Sequence, residues 1–291
     1  MSLINVDLSG LSEPGAKLIE KVSDAIGVLY EPRRIKKKAE AEAEAKKITL
    51  LSDIELNDIE QRGLQRMIKQ QARKQENIED ITMQAAKQMK EEDNISEIED
   101  DWLVHFFKEC ENISDKEMQY IWAQILSGEA KKKGMYSKRT INLLSSLDKT
   151  DADLITTLGQ FIWQAKEPIP VLIDLEIDCI KNSGLTFSKL IHLDSIGIIT
   201  VGTGYSLNFN GTRGQIFYFD KTINFDFSKT QNPHTNSVQI GQALLTSTGM
   251  ELIKICGAKP NYEFFEHCIS HWENNDNVIV KRVAPTFNTR F

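Results

Sequence analysis

The stretch from Arg33 to Asp93 contains no proline and only one glycine, Gly63. It is rich in Ala, Glu, Lys, Gln and Arg, which have the highest helix propensities. Its first part, residues 36–47, has no apolar side chain larger than alanine. A helix this polar cannot be stabilised by one buried face, so it must project or pack through its alanines against another helix. The stretch therefore predicts a long helix or helical hairpin that serves assembly.

Apolar residues recur from Ile48 onward, but they do not keep a regular heptad spacing. Gln71 and Gln75 fall where the seam of a coiled coil needs apolar side chains, so a long two-stranded coiled coil is disfavoured. A hairpin or a bundle with a thin apolar stripe fits better. We expect this segment to mediate homo-oligomerisation or the binding of a helical protein partner. Deleting residues 39–90 should then lower the native mass to that of a monomer and leave residues 98–270 folded.

Composition and charge exclude several classes of protein. The net charge of −7 and the pI near 5.4 argue against a protein that coats nucleic acid, and residues 91–101 form an acidic block. The four cysteines form no CxxC pair, which favours reduced thiols in a cytoplasmic protein. We find no signal peptide at the N-terminus and no apolar run long enough to span a membrane.

An amphipathic helix is expected near the N-terminus, in residues 1–32. Ser12 followed by Pro14 fits a capped helix start, and Pro32 favours a break. A basic cluster follows directly, consisting of Arg33, Arg34, Lys36, Lys37 and Lys38. We consider this cluster a candidate interaction site. Three interpretations stay open: solvated lysines beside a packed helix, an interface with a partner helix, and peripheral contact of residues 11–38 with an anionic membrane.

The chain divides into five predicted segments. They are an amphipathic unit (1–32), a charged, coiled-coil-like helical segment (33–97), a helical domain (98–166), a winged-helix-like α+β domain (167–272) and a C-terminal tail (273–291). Pro168 and Pro170 mark the clearest linker. In the helical domain, Ser114 fits a capping box at a helix start. Large apolar residues at helical spacing are expected to be buried together: Trp102, Phe106, Trp122, Ile125, Leu144 and Leu158. The fold class is therefore mainly α with a small α+β part: long N-terminal helices, a helical domain and a C-terminal winged-helix-like module.

The weak metal-ligand candidates are His267, His271 and Cys268. The two histidines lie four residues apart and would share a helix face. However, Cys268 also belongs to an apolar stripe with Phe264 and Trp272, which is typical of a core. The ligand spacing of known zinc sites is missing, so we predict no metal and no cofactor.

No catalytic motif is apparent. Asp174, Glu176 and Asp178 would share one face only on a strand. His192, Asp194 and Ser195 are too close in sequence to form a relay on one helix. Gly202-Thr-Gly204 lacks the lysine of a phosphate loop. We therefore predict a non-enzymatic protein.

The predicted helix 186–196 is the candidate recognition helix of the winged-helix-like module. It offers Lys189 and His192 among apolar residues that suit a buried helix. We therefore expect no sequence-specific nucleic-acid binding.

Several motifs resemble an uncharacterised bacterial family called domain of unknown function 2806, and more loosely the helical proteins of abortive phage infection. The resemblance covers roughly residues 5–272. The residues that carry it are Leu18-Ile-Glu-Lys-Val-Ser-Asp-Ala-Ile-Gly27, Tyr30-Glu-Pro32, Gln75-Glu-Asn-Ile78, Asp100-Asp-Trp102, Ile113-Ser-Asp-Lys-Glu-Met-Gln119, Trp122-Ala-Gln-Ile-Leu-Ser-Gly-Glu-Ala130, Ser137-Lys-Arg-Thr140, Leu143-Leu-Ser-Ser-Leu-Asp-Lys149, His192-Leu-Asp-Ser-Ile-Gly197 and Leu244-Leu-Thr246. It implies a role in bacterial anti-phage defence or stress, and supplies no catalytic residue.

The sequence thus predicts a self-associating adaptor whose N-terminal helices dock partners. Three alternatives remain. One is a DNA-binding winged-helix regulator, which needs a basic face on the C-terminal module, and another is a membrane-surface effector that uses residues 11–38. The third is a hydrolase or nuclease, which needs acidic residues that converge in a pocket.

Overall fold

The computed structural model describes residues 10–27, 58–229, 236–275 and 278–283. The basic cluster at residues 33–38 and the alanine-rich segment 36–47 lie outside these residues. The chain separates into two compact units, residues 1–145 and residues 146–291. Within the described residues, no helix combines the length and the apolar character that a membrane crossing requires.

The first unit is helical. Among the described residues, its helices are α1 (Glu13–Ile26), α2 (Asp58–Gln88), α3 (Asp100–Cys110), α4 (Lys116–Lys131) and α5 (Lys138–Ser146), the last of which ends at the division between the units. The predicted start of α1 is confirmed: the Ser12 side chain caps the helix by accepting a hydrogen bond from the Gly15 amide, and Pro14 lies in the first turn.

The core of the first unit is built around aromatic residues of α3 and α4. Trp102 stacks on Phe106 with ring centroids 5.1 Å apart, and Trp122 meets Phe106 edge-on at 5.2 Å. Ile125 of α4 is fully buried as well, and Leu144 of α5 is 2% exposed. These residues were predicted to be buried because large aromatics at helical spacing suit a core, and the structure confirms their burial. Leu158, which was predicted to be buried together with them, is buried but belongs to the second unit.

The loop after α4 is shaped by a buried carboxylate. Glu129 is 3% exposed and accepts hydrogen bonds from the amides of Gly134, at 2.6 Å, and Tyr136, at 2.9 Å. The Tyr136 ring occupies the space where Gly128 would carry a Cβ, at 2.6 Å. Trp102 donates its indole hydrogen bond to the Tyr136 carbonyl. The residues Gly128 and Glu129 therefore fix a turn.

The second unit contains five helices and seven strands among the described residues. The helices are α6 (Lys149–Gly159), α7 (Asp178–Ser183), α8 (Phe187–Ser195), α9 (Ser247–Leu252) and α10 (Tyr262–Glu273), with a 3-10 turn at Ile253–Ile255. The strands are β1 (Ile162–Gln164), β2 (Pro168–Pro170), β3 (Ile199–Asn208), β4 (Arg213–Tyr218), β5 (Lys221–Asp226), β6 (Ser237–Leu245) and β7 (Ile279–Val283).

These strands form two antiparallel sheets. The larger sheet has the order β2-β1-β4-β5-β7, and the smaller one pairs β3 with β6. In the larger sheet β4 and β5 form a hairpin in which Ile216 lies opposite Ile223, while β7 pairs with β5 so that Val280 lies opposite Phe225. In the smaller sheet the register shifts twice between Val201 and Ser206.

Aromatic side chains also dominate the core of the second unit. Trp163 of β1 stacks on Phe265 at 5.5 Å and meets Trp272 edge-on at 5.0 Å. Tyr218 of β4 lies 4.9 Å from Trp163, and its hydroxyl donates to the Gln160 carbonyl at 2.7 Å. The helix α10 therefore packs its apolar stripe onto the larger sheet.

The predicted fold class is wrong in its C-terminal part. A five-stranded and a two-stranded antiparallel sheet replace the winged-helix-like module. The wing was inferred from local strand signals, whereas the larger sheet joins segments as distant as β1 and β4. The strand β7 lies in the segment predicted to be a tail.

Two local predictions fail for related reasons. Pro168 and Pro170, interpreted as a linker, form the edge strand β2 and pair with β1. Proline is tolerated there because an edge strand need not donate every amide to a neighbour. Ser114 was predicted to cap α4, but Asp115 does so by accepting hydrogen bonds from the amides of Glu117 and Met118. The Ser114 hydroxyl accepts from Asn77 instead.

Candidate functional site

Within the described part of the chain, α2 packs into the core through its C-terminal end. Ile81, Ala85 and Ala86 are fully buried, where α2 packs against α4 and α1. The side chain of Asn77 donates to the Glu111 carbonyl at 2.9 Å, and it accepts from Gln119 at 3.1 Å. This part of α2 belongs to the core of the first unit.

The N-terminal part of α2 has a different environment. No residue from Asp58 to Glu76 is buried, and Leu64 and Ile68 are only half-buried. Ile59 is 74% exposed and Met67 is 52% exposed. A helix that leaves apolar residues in water gains little from packing within its own chain. The segment 58–76 is therefore the candidate functional surface of the described structure, and we call it the exposed segment.

Two neighbouring faces of the exposed segment could bind a partner, one through apolar side chains and the other through positive charge. At about 100° of rotation per residue, Ile59, Gly63 and Met67 succeed one another at intervals of four and form one line along the helix. We call this line the apolar strip. A neighbouring face carries Arg62, Arg66, Lys69 and Arg73, which we call the cationic row. Together with Gln65 and Gln70, the row lines an open depression of the surface.

The cationic row is not neutralised within the described part of the chain. None of its four residues forms an ion pair there, and all four are exposed. The neighbouring Lys74 differs, because it is engaged in an ion pair with Glu111. Our interpretation of the sequence missed the row, since it placed the basic interaction site at residues 33–38. The available signal was local: residues 61–75 contain five cationic residues and no acidic one.

The weak metal candidates lie on α10. Cys268 is 1% exposed within the aromatic core, while His267 and His271 are half-buried. Burial raises the pKa of the Cys268 thiol well above its ordinary value, which disfavours the thiolate that metals bind. Among the described residues, no three His, Cys, Asp or Glu side chains come close enough to hold a metal ion.

The acidic residues 174–178 do not form a cation site. Asp174 accepts a hydrogen bond from the Glu176 amide at 2.8 Å, and Glu176 pairs with Lys181 at 2.8 Å. Asp178 begins α7. The three carboxylates thus have separate local roles in a turn that leads into a short helix.

The structure pairs His192 with a residue that sequence spacing did not suggest. His192 Nε2 lies 2.6 Å from Asp151 Oδ1, and Asp151 belongs to the capping box of α6. Asp194 accepts from the Val201 amide at 3.0 Å, and Ser195 donates to the His192 carbonyl at 2.7 Å. The Ser195 hydroxyl is therefore directed to the backbone and not to the imidazole. The hydrogen bonds of His192 and Asp194 connect α8 to α6 and to β3.

The predicted recognition helix is α8, and its apolar side chains are divided between the core and the solvent. Leu190 and Leu193 are buried, whereas Phe187 is 53% exposed and Ile191 is 45% exposed. Lys189 is exposed, and it is the one lysine of this helix, which contains no arginine. That is a poor match to a helix that reads base edges.

Part of the segment proposed for membrane contact, residues 11–38, lies within the described residues. Leu18 and Val22 of α1 are fully buried and Ile19 is 1% exposed, because α1 packs against α2 and α3. The apolar face of α1 is thus already covered within the first unit.

Comparison with known proteins yields a family and no relative of known activity. The profile of a family described as "Protein of unknown function (DUF2806)" matches residues 61–269, a range that begins within the exposed segment and ends in α10. Searches of curated proteins and of solved structures find no match.

Proposed function

The chain belongs to the DUF2806 family of proteins of unknown function, and we propose that it is a non-enzymatic adaptor that associates with a second copy of itself through the exposed segment of α2. The observation that carries this proposal is the apolar strip. Ile59 and Met67 project into solvent on either side of Gly63. Exposed apolar residues in a line along a helix are what a partner helix covers.

Gly63 supports the same proposal. A glycine inside a helix costs about 1 kcal/mol relative to alanine, and no contact among the described residues requires one here. A Cβ at this position would meet no atom within 4 Å. A partner helix would account for the glycine, because the missing side chain lets two helix backbones approach closely.

The proposed setting is the cytoplasm, and the proposed role is in anti-phage defence or a stress response. The four cysteines are free, and three of them are buried, which suits a reducing compartment. The defence role rests on the resemblance to abortive-infection proteins.

The test is the native mass of the full-length protein, measured by light scattering and native mass spectrometry at micromolar concentration. We expect a multiple of 33.1 kDa for the unmodified chain. The double substitution of Ile59→Gln with Met67→Gln should lower the mass to that of a monomer. Both side chains are exposed, so the fold of each copy should survive.

A matched control comes from the same unit. Val104 and Tyr120 are each 52% exposed, so Val104→Gln with Tyr120→Gln removes comparable apolar surface elsewhere and should leave the mass unchanged. Gly63→Ala gives a second readout: it should raise the melting temperature of each copy and weaken association. A monomeric unmodified protein, or equal masses for both double variants, would refute the proposal.

The structure also changes the choice of test. A deletion of residues 39–90, which the sequence favours, would remove Ile81, Ala85 and Ala86 from the core of the first unit. Its effect on mass could then come from unfolding. Substitutions within the exposed segment avoid this ambiguity.

A further inference from the structure

The cationic row runs straight along α2. At about 100° per residue, Arg62, Arg66, Lys69 and Arg73 fall within an arc of about 60°. With a rise of about 1.5 Å per residue, the row is about 16 Å long. All four side chains are exposed, and residues 61–75 contain no acidic residue. The row is therefore a linear array of positive charge on a protein whose net charge is −7.

We propose that the cationic row binds the phosphate backbone of nucleic acid, without reading its sequence. Each strand of duplex DNA offers one phosphate per about 3.4 Å of axis, so a row of this length passes about five phosphates of one strand. Three of the four residues are arginines, whose planar guanidinium groups donate two parallel hydrogen bonds to a phosphate. Gln65 and Gln70 border the same depression and add neutral donors.

The geometry favours nucleic acid over an anionic membrane. A helix that lies on a bilayer buries its apolar face and keeps its basic residues beside that face, near the headgroups. In the exposed segment, Leu64 and Ile68 lie about 190–230° around the helix from the centre of the cationic row. They are also half-buried within the protein. If these two residues faced a bilayer, the row would be directed away from it. The exposed apolar side chains beside the row are those of Ile59 and Met67, with Gly63 between them. Two separated side chains are less than the broad apolar face that an interfacial helix buries.

The overall acidity of the chain does not prevent this contact. Screening limits exposed charges to a range of about 8 Å at physiological salt. The nearest acidic residues along α2 are Asp58 and Glu60 at one end and Glu76 at the other, so phosphates along the middle of the row meet cations alone. The acidic residues at both ends should confine phosphate binding to the middle of this helix. The cations of the row should make that binding dependent on salt.

The test is fluorescence anisotropy with full-length protein and two labelled probes, a mixed-sequence DNA duplex and a single-stranded RNA. For four phosphate contacts on the duplex, the plot of log K against log salt should have a slope of about −3.6, which is a loss of about 150-fold between 50 and 200 mM salt. Replacing the whole row by glutamine should abolish binding at low salt. Glutamine keeps the helix propensity close to that of lysine and arginine.

A control variant matches the change in net charge. It replaces four exposed cations of the same unit that form no ion pair among the described residues: Lys108→Gln, Lys132→Gln, Lys138→Gln and Arg139→Gln. This variant should bind both probes as the unmodified protein does. The single substitution Arg66→Gln should reduce the salt slope on the duplex by about 0.9.

Three results would overturn the inference: no binding of either probe at low salt, equal loss in the row variant and the control variant, or binding to phosphatidylserine vesicles with none to nucleic acid. The measurement does not depend on the oligomeric state. Failure of the row variant to bind can therefore be separated from failure to associate, because the row variant retains the apolar strip and its native mass is measured alongside.

Discussion

Two tryptophans of the first unit differ in one respect that stability measurements can isolate. Trp102 and Trp122 both pack against the ring of Phe106. Trp102 is 5% exposed and its indole N–H donates to the Tyr136 carbonyl at 2.8 Å. Trp122 is fully buried, and its indole N–H has no hydrogen-bond partner within the described residues.

Replacing each tryptophan by phenylalanine should therefore have unequal costs. Both changes remove similar apolar volume and leave a similar cavity, which destabilises in both cases. Trp102→Phe also breaks a buried hydrogen bond, at about 1–3 kcal/mol. Trp122→Phe breaks none and removes a donor that folding had desolvated, a gain of similar size. We expect Trp102→Phe to lower the free energy of unfolding by at least about 2 kcal/mol more than Trp122→Phe, a factor of at least about 30 in the unfolding constant.

Urea denaturation followed by circular dichroism gives both values, provided that the dependence on urea stays the same in the two variants. Equal losses would show that Trp122 has a partner that the geometry does not reveal. A larger loss for Trp122→Phe would refute the reasoning outright, because shape would then outweigh hydrogen bonding. Trp122→Ala should cost more than either, about 3–5 kcal/mol.

Two further predictions concern one glycine and two thiols. Gly241 has φ of +108°, and a Cβ there would lie 1.9 Å from the Leu172 carbonyl oxygen. Gly241→Ala should therefore greatly lower the melting temperature. Gly211 has φ of +99° and no atom within 4 Å of a Cβ, so Gly211→Ala should lower the melting temperature only through backbone strain. Burial raises the pKa of the Cys110 and Cys268 thiols well above the ordinary value. The unfolded chain loses these protons near pH 8.5 while the folded chain keeps them, so stability should fall as the pH rises above that value. Unfolding curves at several pH values should show a shallower decline for Cys110→Ala, and an unchanged slope would contradict the assignment.

The sequence predicted most helices because their signals are local. Ser12 and Pro14 mark the start of α1, and the spacing of Trp102, Phe106 and Trp122 identifies a helical core. These features act within one or two turns of chain, so no distant segment has to be known. The one cap placed wrongly, at Ser114, failed because the Ser114 hydroxyl bonds to Asn77, a residue 37 positions away.

The sheets of the second unit could not be predicted in the same way. The strands β1 and β2 have three residues each, too few for an alternating pattern to stand out. The strand β7 pairs with β5 between Ile279 and Asp226, a separation of 53 residues. A strand of this kind is defined by its neighbour in space, which periodicity along the chain does not report.

The candidate surface was predictable in chemistry but not in position. The run from residue 61 to 75, with five cationic residues and no acidic one, is visible in the printed sequence. Whether such a run faces solvent depends on what packs against the helix. Lys74 and Arg73 are neighbours in sequence, yet Glu111, which directly follows α3, forms an ion pair with Lys74 and not with Arg73.

The residues that carry the family resemblance in the first unit have structural roles and do not indicate an activity. In the motif Trp122-Ala-Gln-Ile-Leu-Ser-Gly-Glu-Ala130, Trp122 and Ile125 fill the core, Gly128 makes room for Tyr136, and Glu129 holds the following turn. Each of these residues has a structural role that needs no ligand. A motif of this kind identifies the fold of the first unit and is silent on activity. Residues that serve function are therefore expected among the exposed side chains that have no packing or ion-pairing role in the described structure. In the first unit, the apolar strip and the cationic row of α2 meet that condition.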